Sequence, residues 1–197
     1  MGNRDIRLFV YGILVSPASV EVTLGCPIDP DRMNYAILSG WERRWNVASD
    51  KISHPERTFL LPEGSEFDGV TVALGIEQRG DGCECDGVVL PVTDADLSLL
   101  DSRERSYDRV DVTPSVSWAG KPGDCVVHAY VPRKDVCERV ENAVNDGRPV
   151  CIRKGYLDAV HAAFSSIGKL DAFIRLTKAS SFPVRELESV IDPAFSL

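Results

Sequence analysis

The feature that most constrains the fold is a series of short β-branched and aromatic runs in the first two thirds of the chain, each ending at a turn residue. Leu8-Phe9-Val10-Tyr11 stops at Gly12, and Val126-Val127-His128-Ala129-Tyr130-Val131 stops at Pro132. Val70-Thr71-Val72-Ala73-Leu74 and Gly87-Val88-Val89-Leu90 lie on either side of the turn signal Gly80-Asp81-Gly82. Runs this short and this rich in β-formers suit buried strands rather than helices. Met33 to Val47 has strand-like stretches around Gly40. Val110 and Val112 alternate with Arg109 and Asp111, the pattern of a strand with one buried face.

Helix signals interrupt the strands and then take over. Ser16-Pro17 has the form of an N-cap and first helical residue, opening a short helix to about Leu24. Thr93-Asp94-Ala95-Asp96 resembles a capping box opening a helix to about Arg105. In the last third, Ile152, Tyr156, Val160 and Phe164 lie four apart and make one helical face, and Leu170 to Thr177 and Val184 to Ile191 read as further helices. The chain is therefore expected to be α+β, a mixed sheet or small barrel with helices concentrated at the C-terminus. Asn145-Asp146-Gly147-Arg148-Pro149 reads as a turn inside that unit, not a boundary between two.

Composition decides which partners to expect. The 197 residues are 44% hydrophobic and 26% charged, ordinary for a folded domain with a sizeable core. Thirty acidic against 22 basic side chains give a net charge of -8, which repels phosphate backbones. A nucleic-acid surface would need a concentrated basic stripe, and Trp41-Glu42-Arg43-Arg44-Trp45 is too short for one. It reads as a strand whose arginines face solvent. Met1 to Arg7 lacks the apolar core of a signal peptide, and no apolar run reaches the roughly 18 residues of a membrane span. A cytoplasmic location follows, with the six irregularly spaced cysteines reduced. Cys83-Glu84-Cys85 has the form of one edge of a zinc site, but no second pair stands at ligand spacing, so no metal is expected. Met1-Gly2 matches the start of a myristoylation signal, but Ile6 stands where Ser or Thr is required.

One carboxylate stands out. Leu97, Leu100 and Glu104 share a helix face, so the leucines that must point at the core carry Glu104 inward. Burial raises a carboxyl pKa, and a carboxyl tuned toward neutrality can both accept and return a proton near pH 7. The alternative is a glutamate at a fraying helix end, paired with Arg103 or Arg109. Tyr11-Gly12-Ile13-Leu14 leaves a strand through a glycine and precedes a helix, a turn that exposes successive N–H groups able to cradle a carboxylate or an oxyanion.

Phe9-Val10-Tyr11-Gly12-Ile13-Leu14 resembles the Tyr-Gly-Ser-Leu opening of the γ-glutamylcyclotransferase superfamily, and Leu100-Asp101-Ser102-Arg103-Glu104, with Tyr107, Arg109 and Val110 after it, resembles its Leu-Asp-x-x-Glu segment. Gly40-Trp41-Glu42-Arg43, Asp86-Gly87-Val88, Ala129-Tyr130 and Tyr156-Leu157 resemble further family segments in the same order, so the likeness runs from about Leu8 to Phe164. The resemblance implies a small mixed β-barrel flanked by helices. It implies one domain over 1–197, with the barrel core at about 6–132 and a helical extension at about 133–197.

The resemblance also implies a reaction: cyclisation of a γ-glutamyl amide to 5-oxoproline with release of the amine, using no cofactor. Glu104 would be the general acid/base. Tyr11, Gly12, Ile13 and Leu14 would bind substrate. Tyr107 and Tyr130 would line the cleft as hydrogen-bonding groups or as barrel packing. Ile13 departs from the Ser or Thr usual at its position, which leaves open an inactive small-molecule binding module on the same scaffold. His54 reads as part of a loop, since this chemistry has no role for it.

Overall fold

The computed structural model describes residues 5–191; Met1-Gly2 lies outside them. The chain runs β1 (Ile6–Val10), a 3-10 turn (Ile13–Val15), α1 (Pro17–Leu24), a second 3-10 turn (Pro30–Arg32), β2 (Asn34–Ser39), β3 (Trp41–Ser49) and β4 (Arg57–Leu60). It continues with β5 (Val70–Gln78), β6 (Glu84–Pro91), α2 (Asp94–Arg103), β7 (Tyr107–Asp111), β8 (Val116–Ser117) and β9 (Val126–Pro132). It closes with α3 (Lys134–Asn145), β10 (Val150–Arg153), α4 (Lys154–Ser166), α5 (Leu170–Leu176), β11 (Val184–Arg185) and β12 (Glu188–Ile191).

The strands form a sheet in the order β7-β9-β1-β6-β2-β8, a second in the order β11-β10-β5-β3, and the pair β12-β4. Both larger sheets are mixed. β1 runs parallel to β9, with Leu8 opposite His128, and antiparallel to β6, with Leu8 opposite Leu90. β5 runs parallel to β10 and antiparallel to β3. β3 and β5 lie against β6 and β9, so the two sheets curl around one core as a small mixed barrel flanked by helices, an α+β fold. Leu8, Phe9, Leu74, Leu90, Leu100 and Phe164 meet in that core, from strands and helices alike.

Two glycines set the geometry near the site. Gly40 turns β2 into β3 with φ +83, in the left-handed region that glycine adopts without a Cβ clash. Gly87 on β6 lets β1 approach: a Cβ there would fall 2.2 Å from the Val10 carbonyl oxygen and 2.9 Å from Phe9 Cζ. Thr93 and Asp96 do form the capping box of α2. The Asp96 N–H donates to Thr93 Oγ1 at 3.2 Å and the Thr93 N–H donates to Asp96 Oδ2 at 2.8 Å.

The structure corrects three local readings. Ile152 belongs to strand β10, and the helix α4 starts at Lys154, so the four-residue spacing ran across a strand-to-helix junction. Val184 to Ile191 is two short strands, not a helix, because β11 pairs with β10 and β12 with β4. Arg43 does not face solvent. It is 0% exposed, and its guanidinium donates to Asp86 Oδ1 at 2.7 Å and to the Asp86 carbonyl. Arg44 behaves as expected and pairs with Glu77 at the surface.

Candidate functional site

β1 is buried along its last three residues and delivers Tyr11 and Gly12 past the end of the sheet. The chain there folds into the 3-10 turn, in which the Val15 N–H donates to the Gly12 carbonyl at 3.0 Å. The N–H groups of Gly12, Ile13 and Leu14 have no acceptor among the described residues. Three free donors in succession are what the sequence pattern leads one to expect of such a turn.

α2 brings Glu104 to the same place. Leu97 and Leu100 are 3% and 0% exposed, and Glu104, one turn further on, caps the helix. Its N–H donates to the Leu100 carbonyl at 2.8 Å and its own carbonyl accepts from the Tyr107 N–H at 2.9 Å, so its backbone is held on both sides. The side chain is 16% exposed, and Arg103 Nε lies 3.1 Å from Glu104 Oε1. Arg103 is itself fixed to α1: it donates to the Ser19 carbonyl at 2.8 Å and to Thr23 Oγ1. Burial pushes the Glu104 carboxyl above its usual range, and the Arg103 charge opposes that shift in part. Both sequence alternatives are thus present together, an inward carboxylate and an ion pair with Arg103. Arg109 pairs with Asp101 instead.

The two features face each other across one cavity. A pocket of about 50 Å³ is lined by Tyr11, Gly12, Ile13, Leu14, Glu104, Tyr107 and Tyr130, together with Tyr156 and Leu74. The seven catalytic and substrate-binding candidates named from the sequence are among them. The tyrosine hydroxyls are engaged within the protein. Tyr11 donates to the Tyr130 carbonyl at 2.6 Å, Tyr130 to Asp101 Oδ1 at 2.8 Å and Tyr107 to the Leu74 carbonyl at 2.9 Å. Burial raises the pKa of Tyr11, Tyr107 and Tyr130 and pushes Tyr156 up to about 12, so all four stay protonated. The rings form a neutral, largely apolar wall around one carboxyl.

Tyr156 is the wall residue that sequence reasoning left in the core. A Cβ on Gly12 would sit 3.5 Å from its hydroxyl oxygen, and its ring meets Trp45 edge-on at 6.0 Å. Its position at the start of the α4 apolar face was a signal only for burial. Beyond Ile13, Glu104, Tyr107 and Tyr156 the pocket widens into a mouth of about 330 Å³. His54 does lie in a loop, but it lines this mouth beside Glu56, 3.4 Å away. Burial and the Arg57 charge lower its pKa.

Other regions offer less. Cys85 is fully buried with its thiol pushed up to about 11 by burial, and the described residues hold no cluster of metal-ligand type. A groove of about 740 Å³ on the β3–α3 side is lined by Trp41, Trp45 and Cys137, and its Arg44 and Glu77 neutralise each other. No helix among the described residues is long and apolar enough to cross a membrane.

No protein-family model matches the chain, and no curated protein matches it in sequence. Solved structures do match its fold. A protein described as gamma-glutamyl cyclotransferase superposes with a TM-score of 0.54 at 14% identity, covering 91% of this chain and 93% of that one. YkqA from Bacillus subtilis superposes with a TM-score of 0.52 at 16% identity over 92% of this chain; the chain spans 56% of that protein's length. The chain therefore has the γ-glutamyl cyclotransferase-like fold.

Proposed function

We propose that this chain cyclises a γ-glutamyl amide to 5-oxoproline and releases the amine, with Glu104 as general acid/base. The observation that carries the reading is that Glu104 faces the Gly12-Ile13-Leu14 turn across one small pocket.

The chemistry needs three things of the protein. The glutamyl chain must be held folded, so that its α-amine meets its own γ-carbonyl. Such tethering contributes up to about 7–11 kcal/mol of the barrier when the reacting atoms are aligned. The free N–H groups of the turn supply donors for the α-carboxylate or the developing oxyanion. The α-ammonium must lose a proton, which Glu104 accepts in its ionised form. The amine nitrogen then bonds to the γ-carbon, and the amide C–N bond breaks as the leaving nitrogen takes that proton from Glu104. The ring nitrogen passes its surplus proton through Glu104 to the departing amine, leaving the lactam N–H and an ammonium. One carboxyl serves both steps because burial brings its proton affinity nearer to working pH.

No metal or cofactor is invoked. The partner is a small molecule: a γ-glutamyl amino acid, a γ-glutamylamine or glutathione. A cytoplasmic location, with neither nucleic acid nor membrane as partner, accords with the net charge of -8 and the six free cysteines.

The test is a panel of these amides with detection of 5-oxoproline. Wild type releases it from at least one, and Glu104→Gln, which keeps size and removes the titrating group, lowers the rate about 10²–10⁴-fold. Silence across the panel sinks the reading. A second reading, a binding module without turnover, is favoured by Ile13, which brings no hydroxyl to the turn. Calorimetric binding of a γ-glutamyl amide that is unchanged in Glu104→Gln, with no 5-oxoproline formed, would select it.

A further inference from the structure

The mouth of the pocket is cationic in a chain that is acidic overall. Four arginines line it: Arg57, Arg103, Arg105 and Arg153. Two of them are spoken for, since Arg103 pairs with Glu104 and Arg105 with Glu56 at 2.8 Å. The other two have no carboxylate partner among the described residues. Arg57 is half-buried at the start of β4, and its Nε is a buried donor with no acceptor. Arg153 is half-buried at the end of β10, with its guanidinium 5.2 Å from the Phe59 ring centroid.

Arg153 is also the N-cap of α4, which has no side-chain cap and no acidic residue in its first turn. The positive end of that helix therefore adds to the same wall. Burial and the Arg57 charge both pull the Arg153 pKa down, as expected of two like charges held near each other. Two such cations, one with an orphaned donor, are an unfavourable arrangement unless an anion arrives to bridge them. The planar guanidinium fork matches a carboxylate or phosphate bidentately.

Resting on the function proposed above, we infer that Arg57 and Arg153 form a distal anion subsite, so that the preferred γ-glutamyl amides carry a second anionic group on the amine side. The inner turn holds the glutamyl end, and the arginine pair holds a carboxylate or phosphoryl group at the far end of the departing amine. Neutral γ-glutamylamines lack that contact.

Matched substrates test this directly. The γ-glutamyl amides of glycine and of 4-aminobutyrate are compared with their carboxamide counterparts, which keep shape and lose the charge. A γ-glutamyl aminoalkylphosphonate separates a carboxylate preference from a phosphoryl one. Wild type is expected to favour the anionic member by about 10- to 100-fold in kcat/KM, the value of charge-assisted hydrogen bonds. The ratio of anionic to neutral collapses toward one in Arg57→Gln and in Arg153→Gln, through KM, and recovers in part in Arg153→Lys.

A wild-type ratio near one overturns the subsite, as does a ratio untouched by both glutamine variants. The same pairs are titrated calorimetrically into the Glu104→Gln protein. Charge-selective binding there, without turnover by wild type, defeats the proposed reaction and leaves the subsite standing. Turnover without charge preference does the reverse.

Discussion

Removing Asp86 is expected to destabilise the whole fold. Arg43 and Asp86 are both 0% exposed, joined at 2.7 Å between β3 and β6. The guanidinium also donates to Thr177 Oγ1 at 3.0 Å and packs against both Phe164 and Phe173, with ring centroids 4.9 and 4.6 Å away. Asp86 Oδ2 in turn accepts from the Tyr35 hydroxyl at 3.3 Å. Asp86→Ala would leave a buried guanidinium without its counter-charge, a loss of about 3–5 kcal/mol. For a chain of this size each kcal/mol moves Tm by about 2–4 °C, so the midpoint should fall by roughly 6–20 °C. Arg43→Met keeps an apolar chain against the two phenylalanines but leaves the Asp86 carboxylate buried without its counter-charge. It should cost about as much as Asp86→Ala, and the double variant should be more stable than the sum of the two single losses allows. Urea and thermal unfolding of the four proteins measure this, and high salt should change little because the pair is out of solvent. An Asp86→Ala midpoint within about 3 °C of wild type, or additivity of the two substitutions, would refute the argument.

The other predictions concern the site and the strand beneath it. Burial raises the Glu104 pKa above its ordinary value of 4.5, so the folded state binds that proton more tightly than the unfolded one and this carboxyl weakens the fold as pH rises. Glu104→Gln should therefore match wild type below pH 4.5 and gain on it as pH rises through the folded pKa, checked by urea unfolding between pH 4 and 8. A gain that is flat with pH would mean the carboxyl is not perturbed. For turnover the same shift moves the acid limb of the rate profile to higher pH, because the base must be ionised to accept the ammonium proton. Gly87→Ala puts a methyl 2.2 Å from the Val10 carbonyl and should cost about 1–3 kcal/mol while lowering turnover, since β1 ends in the site turn. Tyr11→Phe leaves the buried Tyr130 carbonyl without its 2.6 Å donor and should cost about 1–3 kcal/mol in chemical denaturation.

How much was legible depends on whether a residue's role is written in its own neighbourhood. Glu104 was readable because the capping box at Thr93 fixes where α2 starts, and the phase of Leu97 and Leu100 then fixes which way Glu104 points. The Gly12 turn was readable because an apolar run ending at glycine declares a strand end. β11 was not readable: two residues, Val184 and Arg185, carry no periodicity, and what makes them a strand is the edge of β10. Ile152 misled for a related reason, since β10 passes directly into α4 and a buried strand residue falls in step with the helix face that follows. Arg43 misled because an arginine in an acidic chain is ordinarily a surface charge, and only the distant Asp86, Phe164 and Phe173 make it a core residue.

The same distinction divides the site itself. Its inner wall comes from one strand end and one helix end, each with a local signature. Its mouth is assembled from Arg57 at the head of β4 and Arg153 at the tail of β10, roughly half the chain apart in sequence. The parallel pairing of β10 with β5, Val150 opposite Val70, builds the sheet on which Arg153 arrives, and no spacing within either segment announces it. In the function proposed above, Glu104 and the turn serve a reaction that any γ-glutamyl amide can undergo, whereas the proposed arginine subsite bears on which amide is accepted. The proposed chemistry therefore rests on local pattern, while the proposed selectivity rests on long-range topology.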